Sequence, residues 1–152
     1  MIKQSLISAI FAAPLLLSTQ SFAAPACNLN VEITEAMAYT VKNIDVPKTC
    51  KDFVINLKAN GTMSKAVMGH NIVIAKEADK EAVNADGGTA GAASNYVKAK
   101  DARVIANSKV IGGGENTTVK FLVKKLNAKE KYVFFCSFPG HSGIMKGVVN
   151  LV

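Results

Sequence analysis

The sequence is poor in the side chains that most often bind metals, since its 152 residues include two histidines and three cysteines, and it has no tryptophan. It also lacks a long apolar segment after its N-terminal region, so no later stretch reaches the roughly 18 apolar residues that a membrane-spanning helix needs. Its lysines stand singly, with only Lys124 and Lys125 adjacent, and they do not alternate with aromatic residues. This distribution indicates a solvated basic surface and does not favour nucleic-acid binding.

The N-terminus has the layout of a secretory signal peptide. Lys3 precedes an apolar run from Leu6 to Leu17, and the small-residue site Ser21-Phe22-Ala23 follows. We expect cleavage after Ala23, with cleavage after Ala24 as the alternative. Residues 1–23 would then be the signal and residues 24–152 one mature domain, whose formal charge falls from +7 to +6 through the loss of a single lysine.

Alternating apolar and polar side chains dominate the rest of the chain and predict half-buried β-strands. The clearest alternation is at Val31 and Ile33, at Phe53, Ile55 and Leu57, and at Val119, Phe121 and Val123. Further strands are expected at roughly 39–45, 71–75, 103–111, 131–136 and 147–152. About eight short strands separated by turn residues predict an all-β fold, an antiparallel sandwich or barrel. Residues 76–96 break the alternation and predict one short inserted helix followed by a flap.

The three cysteines divide into a possible pair and an odd one. Export places them in an oxidising compartment, where Cys27 and Cys50 can pair across a loop and leave Cys136 unpaired. An unpaired exported cysteine needs a reason to stay reduced, and a bound metal ion supplies one. The alternative is that Cys136 is a small buried apolar residue.

Cys136 lies in the densest cluster of candidate ligands, "FFCSFPGHSGIMKG" at 134–147, with the spacing Cys136-x4-His141-x3-Met145. The other histidine, His70, is in "MGHN" at 68–71. Cu(I) favours sulfur and Cu(II) accepts imidazole nitrogen, so two histidines and one cysteine with a weak axial thioether suit both oxidation states. The residues therefore predict a redox copper site, with His70, Cys136 and His141 as strong ligands and Met145 as the axial one.

Three other functions use the same residues. In an enzyme, Cys136 would be a nucleophile and His141 its base, but such pairs need an orienting group and a substrate cleft, and the sequence has no obvious oxyanion motif. A closed structural zinc site normally uses cysteine and histidine without a thioether. A copper carrier without redox cycling would be expected to have more methionines or a flexible exposed cysteine pair.

The motifs "MGHN", "ARVIA" at 102–106 and "FFCSFPGHSGIMKG" resemble the cupredoxin family of blue copper proteins. The resemblance covers essentially the whole mature chain and implies a Greek-key β-sandwich with one copper ion. It implies copper ligation by His70, Cys136 and His141, with axial contacts from Met145 and the backbone carbonyl of Gly69. It also implies a disulfide between Cys27 and Cys50, and hydrogen bonds through Asn71 that hold the ligand loops.

The same resemblance implies a periplasmic, monomeric carrier of single electrons that is not an enzyme. Cytochromes c, nitrite reductases and amine dehydrogenases are the redox partners that the family serves, and the positive charge weakly favours acidic ones. An apolar docking patch is implied around His141, formed by Met63, Val67, Met68, Phe138, Pro139, Gly140 and Gly143. Two departures, Ile72 in place of a buried tryptophan and Gly143 in place of alanine, are expected to alter packing but not the site.

Overall fold

The computed structural model describes residues 26–152, so the predicted signal peptide and both candidate cleavage sites lie outside the described residues. Within residues 26–152 the fold consists of nine strands and one α-helix. The strands are β1 (Asn28–Thr34), β2 (Ala38–Tyr39), β3 (Asn43–Val46), β4 (Asp52–Ala59), β5 (Val73–Lys76), β6 (Val104–Asn107), β7 (Asn116–Leu122), β8 (Tyr132–Phe135) and β9 (Lys146–Leu151), and the helix is α1 (Lys80–Ala90).

The strands form two sheets, one in the order β2-β1-β4-β7 and the other in the order β3-β9-β8-β5-β6. The predicted all-β sandwich is confirmed. Its sheets are mixed, however, because β1 pairs with β4 in parallel and β3 pairs with β9 in parallel. The expectation of a purely antiparallel arrangement is wrong at these two pairs, since alternation reveals which face of a strand is buried but not the direction of its neighbour.

The core lies between the two sheets. Apolar side chains on alternate positions of β1, β4 and β7 are buried against Ile44, Ile72, Ile74 and Phe134 of the second sheet and its flanks. Ile72, at the position where a tryptophan was the family expectation, is fully buried in this core. The alternation seen in the sequence is therefore the alternation between the core and the outer face of each sheet.

Two predicted strands are shorter than expected. The stretch 39–45 divides into β2 and β3, with a break at residues 40–42. The stretch 103–111 contributes only β6, after which the Ser108 hydroxyl accepts the Ile72 backbone N–H at 3.0 Å. Ile111 then forms an isolated bridge with His70.

The inserted helix is confirmed as α1, with single 3-10 turns before it at Glu77–Asp79 and after it at Ala92–Ser94. Its buried face, with Val83, packs against Val133 and Phe135 on the outer face of the second sheet. The helix continues through Gly87 and ends at Ala90. A Cβ at Gly87 would overlap the Tyr96 carbonyl, so this glycine allows the flap to lie directly against the helix.

A disulfide joins Cys27 to Cys50 with a Cα–Cα distance of 5.7 Å, which confirms the expected pairing. It links the start of β1 to the segment just before its parallel neighbour β4. Cys136 is buried and is the free cysteine of residues 26–152. No helix within that range is long and apolar enough to cross a membrane.

Candidate metal centre

The strand register brings the candidate ligands together. β5 and β8 are antiparallel with Val73 opposite Phe135, so the segment that enters β5 lies beside the segment that leaves β8. His70 precedes β5 in its bridge with Ile111, and Cys136 directly follows β8. With His141 from the next loop, their ligand atoms lie within 4.8 Å of one another, and all three residues are buried.

The Cys136 sulfur contacts both neighbouring ligand segments. It is 3.6 Å from His141 Nδ1, and its thiol donates towards the Gly69 carbonyl oxygen at 4.0 Å. Burial raises the pKa of the thiol to about 11, although the backbone N–H groups of Asn71 and Phe138 point at the sulfur and favour the thiolate. A cation is therefore needed to deprotonate this thiol near neutral pH.

The two imidazoles face each other with ring centroids 5.0 Å apart. Burial and the neighbouring His141 lower the pKa of His70 to about 4, and burial also lowers the pKa of His141. Both rings are therefore neutral at pH 7, the form that binds metals. His70 Nδ1 is buried and has no hydrogen-bond partner among residues 26–152.

An unpartnered buried ring nitrogen costs free energy unless a ligand uses it. Here it lies beside a thiol and a second neutral imidazole, with the fully buried Met145 in the same cluster of core residues. Thiolate and thioether sulfur with imidazole nitrogen is a donor set that copper accepts in both oxidation states. The residues present therefore fit a copper ion.

The loop from Cys136 to Met145 is held by its own backbone. His141 donates its N–H to the Phe138 carbonyl at 3.0 Å, and Met145 donates to the His141 carbonyl at 2.8 Å. The Cys136 N–H in turn donates to the Met145 carbonyl at 3.0 Å. These bonds fold the loop back on itself and hold the backbone positions of Cys136, His141 and Met145 relative to one another.

Asn71 connects the two ligand segments, as expected from the resemblance. Its side-chain amide donates to the Ser137 hydroxyl at 2.8 Å, and its Oδ1 accepts the Ser137 backbone N–H at 2.9 Å. Because Asn71 follows His70 and Ser137 follows Cys136, these bonds hold the two ligands in register. All four residues are buried, so water does not compete for the bonds.

The profile described as "Copper binding proteins, plastocyanin/azurin family" matches residues 25–152. The chain belongs to the plastocyanin/azurin family. It is 55% identical over 125 residues to Azurin-2 of Alcaligenes xylosoxydans xylosoxydans, an alignment that covers 82% of this chain and 97% of that protein. It is 53% identical over 126 residues to the azurin of Alcaligenes faecalis, covering 83% and 98% of the two chains.

The fold agrees with this membership. A solved structure of an azurin from the obligate methylotroph Methylomonas sp. strain J superposes with a TM-score of 0.81 at 44% identity, covering 84% of this chain and 99% of that one. The sandwich with one inserted helix is therefore the cupredoxin fold that the motifs implied. Copper is the metal of this plastocyanin/azurin family, in agreement with the donor set of the site.

The structure brings together His70, Cys136 and His141 as the sequence predicted, with His70 in a bridge before β5. The axial roles of Met145 and the Gly69 carbonyl stay predictions. Gly69 is nonetheless required sterically, because a Cβ there would lie 2.5 Å from the Lys65 carbonyl oxygen and 2.6 Å from the Phe138 ring.

The expected patch residues differ in exposure. Met63 and Val67 are 50% and 62% exposed and Met68 is half-buried, so none of these three side chains is buried in the core. Pro139, Gly140 and Gly143 are exposed, whereas Phe138 is buried and His141 is only 6% exposed. Phe138 therefore packs beneath the patch and does not form its surface.

Sequence reasoning missed three contributions to this plastocyanin/azurin site. Ser137 is the partner of Asn71, and its only signal is its position beside Cys136. Ile144, 55% exposed on the ligand loop, adds apolar surface next to Gly143. Asn95, whose carbonyl accepts a hydrogen bond from Asn71, comes from the flap and carries no recognisable signal in the sequence.

Proposed function

We propose that this chain is a blue copper protein that carries single electrons between redox proteins. The observation that carries the proposal is the buried convergence of one free cysteine and two neutral histidines. His70, Cys136 and His141 would be the strong ligands of one copper ion per chain, with Met145 and the Gly69 carbonyl as weak axial donors. Copper bound there supplies reversible exchange between Cu(I) and Cu(II).

The protein's own contribution is rigidity. The ligand loop is closed by backbone hydrogen bonds, and Asn71 ties it to the segment that carries His70. A site held in this way changes little between two oxidation states of a metal, so little free energy is spent on rearrangement during transfer. Burial of all three strong ligands also excludes water from the centre.

A role in covalent catalysis has less support. A nucleophilic cysteine needs a lowered pKa, whereas burial raises the pKa of Cys136 to about 11. Its sulfur is fully buried, so a substrate cannot approach it. We therefore infer that the chain performs no chemistry on a substrate.

The second candidate is a copper carrier that delivers the ion without redox cycling. Complete burial of Cys136 opposes it, because a carrier must expose its ligands to pass the metal on. The two functions separate in one measurement. An electron carrier is reduced and reoxidised by redox proteins with its copper retained, whereas a carrier of copper loses the ion to an acceptor.

The defining experiment is metal analysis and visible spectroscopy of the purified protein. We expect one copper per chain and an intense thiolate-to-Cu(II) band. Cys136→Ser should abolish this band and keep the β-sheet circular dichroism spectrum, because sulfur supplies the chromophore and the fold does not depend on it. A Cys136→Ser protein that stayed blue, or a wild-type protein that contained zinc, would overturn the assignment.

We infer that partners dock on the apolar patch expected around His141, whose accessible members are Met63, Val67, Met68, Pro139, Gly140 and Gly143. Met63 and Val67 are 50% and 62% exposed. Exposed apolar patches of this kind are more often contact sites than accidents, and weak electron-transfer encounters use small interfaces. Cytochromes c, nitrite reductases or amine dehydrogenases are the expected partners. The chain itself is expected to be a monomer.

Met68→Lys tests this docking patch, because the new charge would be desolvated in any docked complex. We expect a large loss of electron self-exchange and of transfer to partners, with an almost unchanged copper spectrum. Val152→Lys is the matched control, since it adds the same charge at an exposed apolar residue where β9 ends, away from the ligand loop that precedes β9. Wild-type rates for Met68→Lys across a range of salt would exclude this patch.

Export to the periplasm completes the proposal. The azurin of Bordetella pertussis aligns at 47% identity over 146 residues, or 96% of this chain, so its similarity extends into the N-terminal region. We infer cleavage after Ala23 in the exported protein. Intact mass would show the loss of 23 residues, and a mass that retained the apolar run would contradict it.

A further inference from the structure

The flap after α1 contains two neighbouring residues in a conformation that most side chains avoid. Asn95 has φ 55° and Tyr96 has φ 53°, and neither is a glycine. Asparagine tolerates the left-handed region, whereas a bulky tyrosine rarely adopts it. Strain of this kind persists only where the surroundings hold it in place.

Part of what holds the flap is the segment around His70. The Asn95 carbonyl accepts a hydrogen bond from the Asn71 amide at 2.9 Å, and the Asn95 side chain accepts the Val110 backbone N–H at 2.9 Å. Asn71 follows His70, and Val110 precedes Ile111, which pairs with His70 through two backbone hydrogen bonds. Asn95 is therefore hydrogen-bonded to both segments that form the bridge between His70 and Ile111.

The Tyr96 ring reaches the second histidine through one intermediate. It packs edge-on against the Phe138 ring at 5.2 Å, and Phe138 in turn lies 4.9 Å from the His141 ring. Phe138 is buried, so its ring position is set by its neighbours. Tyr96 thus contacts the His141 imidazole indirectly, through the Phe138 ring.

The helix braces the flap from the other side. The Tyr96 carbonyl rests on Gly87, and the Tyr96 N–H donates to the Gly91 carbonyl at 3.0 Å. Arg103 bonds both Asp86 of α1 and Asp101, at 2.6 and 2.5 Å, and so ties the helix to the segment that follows the flap. Tyr96 is therefore held between α1 and Phe138 of the ligand loop.

We propose that Asn95 and Tyr96 are positioning residues for the copper site, fixing His70 through Asn71 and Val110 and fixing His141 through Phe138. The inserted helix then has a function, which is to hold this pair against the two ligand segments. The inference rests on the proposed electron-transfer function. Its consequence is that disturbance of the flap should loosen the imidazoles without removing any ligand.

The first test compares Tyr96→Leu with the conservative Tyr96→Phe, which keeps the ring. In the metal-free protein we expect Tyr96→Leu to shift and broaden the NMR signals of the His141 ring, and Tyr96→Phe to leave them as in wild type. In the copper form, electron self-exchange should fall about tenfold in Tyr96→Leu alone, the low end of losses caused by outer-shell changes at metal sites.

Two controls separate positioning from a general loss of stability. Phe53→Leu disrupts a different aromatic pair of the core, in which the ring centroids of Phe53 and Phe121 are 5.9 Å apart. It should lower stability without altering the His141 signals or the self-exchange rate. Gly87→Ala should act like Tyr96→Leu, because its methyl group displaces the Tyr96 backbone. Its neighbour Gly88→Ala has open space and should behave as wild type.

The outcomes also separate this inference from the function on which it rests. A wild-type protein without a blue copper band or rapid self-exchange would reject the proposed function. A blue, rapidly exchanging wild-type protein whose Tyr96→Leu and Gly87→Ala variants match it in both measurements would reject the positioning role alone. Equal effects in Tyr96→Leu and Phe53→Leu would reduce that role to ordinary core packing and also overturn the inference.

Discussion

The Tyr39 hydroxyl donates a buried hydrogen bond of 2.5 Å to the backbone carbonyl of Asn71. Tyr39 belongs to β2 in the first sheet, whereas Asn71 leads into β5 in the second, so this bond crosses the sandwich beside the metal centre. The Tyr39 ring also packs edge-on against Phe134 at 5.2 Å. The first sheet therefore contributes to the position of a segment that carries a ligand.

Removal of the Tyr39 hydroxyl should lower the stability of the fold without disrupting the copper site. Tyr39→Phe leaves the Asn71 carbonyl buried without its partner, and we expect the free energy of unfolding to fall by roughly 1 to 2 kcal/mol. The copper spectrum should change little, because the Asn71 side-chain bonds remain. Urea unfolding of the metal-free protein measures the loss, and unchanged stability would show that water replaces the hydroxyl.

A methyl group at Gly69 should disturb both packing and ligation. It would overlap the Lys65 carbonyl and the side chains of Phe138 and Val110. We expect Gly69→Ala to destabilise the metal-free protein by roughly 1 to 3 kcal/mol, the usual cost of overpacking. The visible band of the copper form should also shift, because the backbone carbonyl of Gly69 would be displaced. A wild-type spectrum in a destabilised Gly69→Ala protein would argue against an axial role for this carbonyl.

Met145→Leu should retain copper and raise the reduction potential. An apolar group in place of a weak donor destabilises Cu(II) more than Cu(I). Met145 is fully buried, and leucine has a similar volume, so the fold should be preserved. Cyclic voltammetry measures the change, and a lowered potential would count against Met145 as the axial ligand.

Copper binding should release close to one proton per ion at pH 7. Both histidines are neutral there because their pKa values are lowered, with that of His70 at about 4, whereas the Cys136 thiol with a pKa of about 11 still carries its proton. Only the thiol must therefore lose a proton. A pH indicator in weakly buffered solution counts the release, which Cys136→Ser should nearly abolish. Release of two or more protons would mean that an imidazole is charged before binding.

Asp101 should make stability depend on acid pH. Hydrogen bonds from Arg103 lower the pKa of its carboxyl from 3.8 to about 2. Because the folded-state pKa lies below the unfolded one, this stabilisation is complete above about pH 4 and is lost as the pH falls towards 2. Asp101→Asn should thus be less stable than wild type at pH 7, with a difference that shrinks between pH 4 and 2. Urea unfolding of both metal-free proteins across that range tests it, and a constant difference would contradict it.

The sequence predicted the parts of this molecule that depend on local pattern. Alternation identified β1, β4 and β7, and the spacing from Cys136 to Met145 identified the metal loop. The parallel pairing of β1 with β4 and of β3 with β9 could not be predicted, since partner direction leaves no trace in periodicity. Nor could the roles of Asn95 and Tyr96, because those depend on contacts between segments that are distant in the chain.

Phe138 shows in a single residue what local sequence pattern can and cannot predict. Its place in the motif was correct, but its expected exposure was wrong, because the Tyr96 ring covers it from the flap. Gly87 is a second case, in which a residue that normally ends a helix is retained inside one by the close approach of Tyr96. In both cases tertiary contact overrides the local preference.

The parallel pair of β3 and β9 joins two segments that are far apart in the chain. Its register joins Asn43 to Val148, so the second sheet is incomplete until the last residues of the chain are available. Pairings across such sequence distances make folding slow, because the loop must close before the contacts form. The ligand loop is anchored by β9, which follows it directly. A chain that lacks β9 therefore also lacks the strand that anchors the C-terminal end of the ligand loop.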